Sequence, residues 1–209
     1  TGHRPSRKSR LTAAPSRAIM VTMHQAPRRL LLHVCCGPCA TASLERLKAL
    51  GEVTLFFSNA NLYPPAEYAR RLDAVRRLAA HCDCALVEDT CDHDAWRAWI
   101  AGLEDEPERG ERCRRCFAYS LRRAAQYAAE NGFSGLTTTL TISPHKRSAD
   151  ILAIGQSLSP EFLDIDFKTA DGFRRSLELS REYGLYRQDY CGCEFSLADR
   201  DRRHAARKA

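Results

Sequence analysis

Ten cysteines stand among 209 residues, and seven of them fall into three closely spaced groups: Cys35, Cys36 and Cys39; Cys113 and Cys116; Cys191 and Cys193. The spacings are C-C-x-x-C, C-x-x-C and C-x-C. Thiolates are soft ligands that select zinc, copper(I) or iron–sulfur clusters. A C-x-x-C pair alone serves zinc and redox chemistry equally. Structural zinc needs four ligands, so seven thiols are a surplus. Adjacent side chains such as Cys35 and Cys36 diverge and do not easily share one tetrahedral ion; they suit two metals or an extended cluster. A [4Fe–4S] cluster takes four thiolates, which leaves three for a second metal or an electron relay. None of the seven histidines has a zinc-finger spacing. The pattern favours an iron–sulfur or mixed iron site, with structural zinc as the second reading and disulfides as the third. Cys82, Cys84 and Cys91 are read as small buried hydrophobes.

Other segments carry polar chemistry. Thr141-Ile-Ser-Pro-His145-Lys146-Arg147 puts a hydroxyl, an imidazole and two cations at an expected strand-to-helix junction. Helix N-termini bind anions; the plainer reading is a helix cap with solvated charges. Asn59, Asn61, Tyr63 and Tyr68 are candidate polar and stacking contacts, although partial core burial is the commoner fate of a tyrosine. Asp189 and Tyr190 directly precede Cys191, where either suits a proton donor or a hydrogen-bond partner of a ligand. The first loop has neither a Ser-Gly-Gly run nor G-x-G-x-x-G, so ATP activation and nicotinamide binding are not expected there.

These residues need elements to position them. Apolar runs predict strands at 30–34, 53–57, 84–88 and 135–140, with a short one near 161–165. Helical periodicity falls between them: Thr41 to Leu50, Ala66 to His81, a helix capped by Asp92, Cys113 to Glu130, 148–158 and 172–183. Alternating strands and helices predict an α/β fold, a doubly wound and mostly parallel sheet with helices on both faces. Ligands bind such sheets beyond the carboxyl ends of the strands. The loops 35–39, 58–65 and 141–147 should therefore meet at one edge.

Hydrophobic residues make up 44% and charged residues 28% of the chain, which suits one domain with a real core. No run approaches the about 18 apolar residues of a membrane span. The net charge of +6 is unevenly placed: residues 1–29 carry +7, residues 199–209 carry +3, and the body between them is left at −4. The expected organisation is a basic, disordered leader (1–29), a single domain (30–198) and a polar basic tail (199–209). The tails either touch a polyanion such as RNA or are simply solvated. The N-terminal stretch has no apolar core of a secretory signal. A reducing, cytoplasmic setting is expected, where structural disulfides are rare.

His33-Val-Cys-Cys-Gly-Pro-Cys39, Phe57-Ser-Asn-Ala-Asn-Leu-Tyr-Pro64 with Glu67-Tyr68, Arg112-Cys-Arg-Arg-Cys-Phe117, Thr139-Leu-Thr-Ile-Ser-Pro-His-Lys146 and Tyr190-Cys-Gly-Cys193 occur in this order. Together with Phe173-Arg-Arg-Ser-Leu-Glu-Leu-Ser180 they resemble the epoxyqueuosine reductases of the QueH type, over about residues 30–198. The resemblance implies a fold similar to the adenine-nucleotide α-hydrolase (HUP) fold, with the ATP loop replaced by cysteines. It implies removal of the epoxide oxygen of epoxyqueuosine at the wobble position of tRNA, a [4Fe–4S] cluster and an additional iron. The seven grouped cysteines would be the metal ligands; some members carry Asp in place of Cys39. The partners implied are tRNA carrying epoxyqueuosine and an external electron donor. Asn59, Asn61, Tyr63, Tyr68 and Lys146 would bind substrate, and Asp189, Tyr190 or His145 would supply the proton. Arg147, Arg174 and Arg175 are further candidates for tRNA. Two other classes stay open: a sulfonucleotide reductase-like iron–sulfur enzyme, told apart by sulfonucleotide binding, and a zinc-stabilised RNA-binding adaptor, told apart by zinc without iron.

Overall fold

Leu30, Leu31 and Leu32 are apolar in succession because their strand is covered on both faces. In the computed structural model, which describes residues 28–208, this strand, β1 (Arg29–His33), is central. It pairs with β2 (Glu52–Phe57) on one side and β4 (Gly135–Thr138) on the other, and β3 (Ala85–Glu88) extends the sheet beyond β2. All pairings are parallel, in the order β3-β2-β1-β4. Leu30 and Leu32 pack into one layer with α1 (Gly37–Lys48), α2 (Pro65–His81) and α6 (Gly172–Glu182). Leu31 points the other way, to α4 (Glu111–Glu130) and α5 (Ser148–Leu158). This is the period-two alternation of a strand, and the doubly wound parallel α/β fold is as expected. Two further helices, α3 (His93–Trp99) and α7 (Glu194–Ala206), share a small cluster around Trp96 and Phe195. None of the helices described is long and apolar enough to cross a membrane.

Four boundaries differ from expectation. First, α1 begins at Gly37 rather than Thr41, because Pro38 has the fixed φ that suits a first helical turn. Second, β4 stops at Thr138 rather than 140: the Thr138 hydroxyl accepts from Leu140 N at 3.2 Å and turns the chain into a 3-10 turn at Thr139–Ile142. Third, the strand expected near 161–165 is only a bridge between Leu136 and Phe162. Ile165 N closes back on Leu163 O at 2.9 Å and takes the backbone off the ladder. Fourth, the chain is helical through 199, where a polar tail was expected, since α7 runs to Ala206. The leader expected over 1–29 lies outside the described residues up to 27. Arg29 itself opens β1 and holds Asn131 O at 2.9 Å.

The turn from β1 into α1 is tightly packed. A Cβ at Gly37 would stand 2.8 Å from Ala74 O and 3.0 Å from Ala74 Cβ on α2. Gly37→Ala must separate the two helices, and we expect it to cost about 1–3 kcal/mol, read from the denaturant midpoint.

Candidate metal centre

The seven grouped cysteines gather at helix N-termini. Cys36 is the N-cap of α1, Cys113 lies in the first turn of α4 with Cys116 one turn on, and Cys193 is the N-cap of α7. Helix N-termini carry partial positive charge and lower the cost of a thiolate. The site lies at the carboxyl edge of the sheet, at the switch point between β1 and β4. There Cys35 N donates to Thr139 Oγ1 at 3.1 Å, and Thr139 Oγ1 lies 3.3 Å from Cys35 Sγ. His33, buried behind them, ties three strand ends together: Nδ1 meets Thr138 Oγ1 at 2.8 Å and Nε2 meets Ser58 O at 3.1 Å. Its burial lowers its pKa, so the ring is neutral. A cavity of about 490 Å³ opens over this edge and reaches Cys35, Cys39, Cys116 and Cys191.

The sulfurs of Cys35, Cys36 and Cys39 lie within 4.8 Å of one another and could hold a metal ion. Cys35 and Cys36 Sγ are 3.9 Å apart. Adjacent side chains thus reach one point after all, because the extended Cys36 ends the strand run and starts the helix. Hydrogen bonds from Cys35 and Cys39 hold Cys36 well below the ordinary thiol range, and Arg71 and Gln188 (Nε2 to Sγ, 3.1 Å) reinforce this. The same sharing pushes Cys35 up and Cys39 far up. Such a triplet ionises fully only around a cation.

The remaining four are spaced differently. Among the described residues, no three of Cys113, Cys116, Cys191 and Cys193 have sulfurs within 4.8 Å of one another. Tetrahedral zinc, with its Zn–S bonds, needs sulfur–sulfur separations of about 3.8 Å. The wider set suits a larger group. Burial pushes Cys113 up to about 11 and pushes Cys116 well above the ordinary thiol range, and the neighbouring sulfurs add to both. Lys146 sits between the two sets. Burial alone would lower its ammonium pKa, but the sulfurs of Cys191, Cys35 and Cys39 outweigh it and hold it above the ordinary lysine range.

Gly192, between the last two cysteines, has φ +139°, and a Cβ there would meet Leu62 Cδ2 at 2.5 Å and Arg71 Nη1 at 3.1 Å. We expect Gly192→Ala to misplace Cys191 and Cys193 and to lower bound metal per chain by half or more, measured by elemental analysis of folded protein.

The polar candidates divide. Asn61, His145 and Lys146 line the cavity. Asn59 lines it too, but its amide is committed to Val34 O at 2.9 Å and braces the β1 and β2 ends. Tyr63 is exposed and stacks on His93 at 5.8 Å. Tyr68 packs edge-on against Phe57 at 5.3 Å in the core and does not line the cavity. Tyr190 donates its hydroxyl proton to Tyr63 O at 2.5 Å, and burial pushes its pKa up to about 12. Partial burial would raise the Asp189 carboxyl, but Arg200 at 2.9 Å wins and keeps it ionised. Arg175 pairs with Glu45 at 2.9 Å, and Arg174 with Asp171 at 2.8 Å. Arg147 stays exposed near the cavity.

Arg71 escapes a sequence reading. It is buried, pairs with buried Glu67 at 2.7 Å, and donates to Cys191 O at 2.9 Å and Tyr190 O at 3.2 Å. Glu67 also accepts from Tyr186 OH at 2.8 Å. The C-x-C segment is thereby fastened to α2. The available signal was a Glu and an Arg four residues apart among the apolar positions of one helix.

The model of the family described as epoxyqueuosine reductase QueH matches residues 30–199. A Streptococcus pyogenes serotype M1 protein named epoxyqueuosine reductase QueH is 40% identical over 178 residues, covering 80% of this chain and 69% of its own. The Acinetobacter baylyi protein of that name is 37% identical over 180 residues, covering 83% of each chain. The Thermotoga maritima one is 33% identical over 183 residues, covering 84% of this chain and 94% of its own.

Proposed function

The chain belongs to the epoxyqueuosine reductase QueH family, and we propose on that basis that it removes the epoxide oxygen of epoxyqueuosine in tRNA to give queuosine. The observation that carries this reading is the gathering of seven thiols near three helix N-termini, with Cys35, Cys39, Cys116 and Cys191 lining one cavity. The donor set is soft and anionic and suits iron–sulfur ligation. In this reading Cys113, Cys116, Cys191 and Cys193 hold a [4Fe–4S] cluster, and Cys35, Cys36 and Cys39 hold an additional iron. When bound, these groups supply electrons from an external donor and a Lewis-acid position for the epoxide oxygen.

The reaction breaks both C–O bonds of the epoxide, forms a C=C bond, consumes two electrons and two protons, and releases water. Lys146 keeps a positive charge between the two thiol sets, where negative charge grows as electrons arrive. His145, exposed at the cavity mouth, is assigned the proton delivered to the departing oxygen. Tyr190 and Asp189 instead hold the preceding loop in place. Asn61, which lines the cavity, and exposed Tyr63 two residues on are assigned contacts to an unstacked base, since proteins read single-stranded loops by stacking and edge contacts. Arg147 at the rim suits phosphate. The catalytic domain runs from residue 30 into α7, the basic residues of the leader and of the C-terminal end are assigned phosphate contacts, and the setting is cytoplasmic.

Mass spectrometry of nucleosides tests the function. Anaerobically loaded, reduced protein should convert tRNA-borne epoxyqueuosine to a product lighter by one oxygen. Unchanged nucleoside with fully loaded, reduced protein would contradict the assignment. tRNA affinity should fall steeply as salt rises, measured by filter binding between low and physiological ionic strength.

A further inference from the structure

Three of the four sulfurs in the wider set have a recognisable polar neighbour. Cys113 Sγ accepts from Arg109 N at 3.2 Å. Cys191 has the Lys146 ammonium beside it. Cys193 Sγ lies 3.5 Å from Ser196 Oγ. Cys116 instead packs against the cluster formed by Ala60, Trp96 and Ile100. Trp96 is almost completely buried, and its Nε1–H has no hydrogen-bond partner among the described residues. A buried N–H left unmatched costs about 1–3 kcal/mol, so a donor of this kind in a native core asks for an acceptor. Cys116 packs against this same buried cluster, and its sulfur is an acceptor of the kind the indole N–H lacks.

We propose that Trp96 is a positioning residue for the four-cysteine group, donating its indole N–H to the Cys116 sulfur when that sulfur is a metal-bound thiolate and raising the reduction potential of the group held there. The proposal rests on the reading that these four cysteines hold the cluster. Its physical basis is that an N–H···S bond strengthens as negative charge on sulfur increases, which favours the reduced state; hydrogen bonds to the sulfurs are among the factors that set the potential of such groups. Outer partners of this kind also fix ligand orientation. The acceptor explains why a tryptophan occupies a core position where phenylalanine would avoid an unmatched donor.

The second tryptophan supplies a control. Trp99 lies in the same cluster, but its Nε1–H is already given to Arg115 O at 2.9 Å. Trp96→Phe and Trp99→Phe are made in the full chain, loaded anaerobically to equal iron and sulfide, and titrated by EPR against potential. The expected result is a midpoint shifted to more negative potential for Trp96→Phe and unshifted for Trp99→Phe. Equal midpoints for wild type and Trp96→Phe at equal loading overturn the proposal. If Trp96→Phe does not fold or load, the wild-type chain carrying cadmium-113 and nitrogen-15 indoles decides. A scalar coupling between cadmium and the Trp96 indole proton supports the bond, and its absence with cadmium bound overturns it. A full cluster in Cys116→Ser would show that the cluster assignment itself is wrong, and the proposal would fall with it.

Discussion

Cys191→Ser abolishes conversion of epoxyqueuosine while the chain stays folded. Cys191 stands where the two thiol sets meet. Cys191 lines the cavity, Lys146 lies beside it, and its carbonyl is held by Arg71 at 2.9 Å. Serine preserves the shape but replaces a soft thiolate by a hydroxyl that iron–sulfur groups bind poorly. Loss of a mere outer partner of a metal typically costs 10–100-fold, so loss of a ligand should exceed about 100-fold in turnover. Far-ultraviolet circular dichroism should be unchanged, because the Arg71 bonds reach the backbone carbonyls of residues 190 and 191 rather than the sulfur. Conversion is read by nucleoside mass spectrometry and loading by acid-labile sulfide. Full activity in this variant would remove Cys191 from the ligand set.

Arg71→Met should be the most damaging substitution outside the cysteines. Arg71 and Glu67 are both buried, 2% and 0% exposed, so truncating the cation leaves Glu67 with much of its charge unmatched. Breaking a buried ion pair in this way costs about 3–5 kcal/mol. The same change frees the carbonyls of Tyr190 and Cys191 from α2, so metal loading should fall along with stability. Denaturant unfolding measures the first effect and sulfide content the second. Adding Glu67→Gln removes the unmatched charge and should recover part of the stability without restoring loading. A loss below about 1 kcal/mol in the single variant would show that the carboxylate is satisfied by Tyr186 and Arg70 alone.

The cysteine groups and the loops that carry them were legible because both depend on local order. Residues 30–34 read as a buried strand, and the cysteines follow it directly, which places them at the sheet edge. The meeting of Cys35 with Thr139 follows from parallel pairing of β1 with β4, which the alternation of elements already suggested. What was not legible depends on long-range faces. Arg71 looks like any helical cation until the C-x-C segment, about 120 residues later, is seen to land on it. Tyr68 looked like a base-stacking residue, but the turn of α2 sends it into the core against Phe57. Tyr190 and Asp189 looked like proton donors from their place beside Cys191. A carbonyl 127 residues away takes the hydroxyl of the first, and Arg200 takes the carboxylate of the second. Trp96 gave no sign of its unmatched N–H, because that depends on what surrounds a buried ring.

The most direct test of the metal centre is the iron, zinc and acid-labile sulfide content of anaerobically purified full-length chain. A [4Fe–4S] cluster on Cys113, Cys116, Cys191 and Cys193 with a further iron on Cys35, Cys36 and Cys39 predicts bound sulfide and iron in excess of sulfide, with zinc well below stoichiometric. Stoichiometric zinc without sulfide would contradict it, because no electrons could then be delivered to the epoxide.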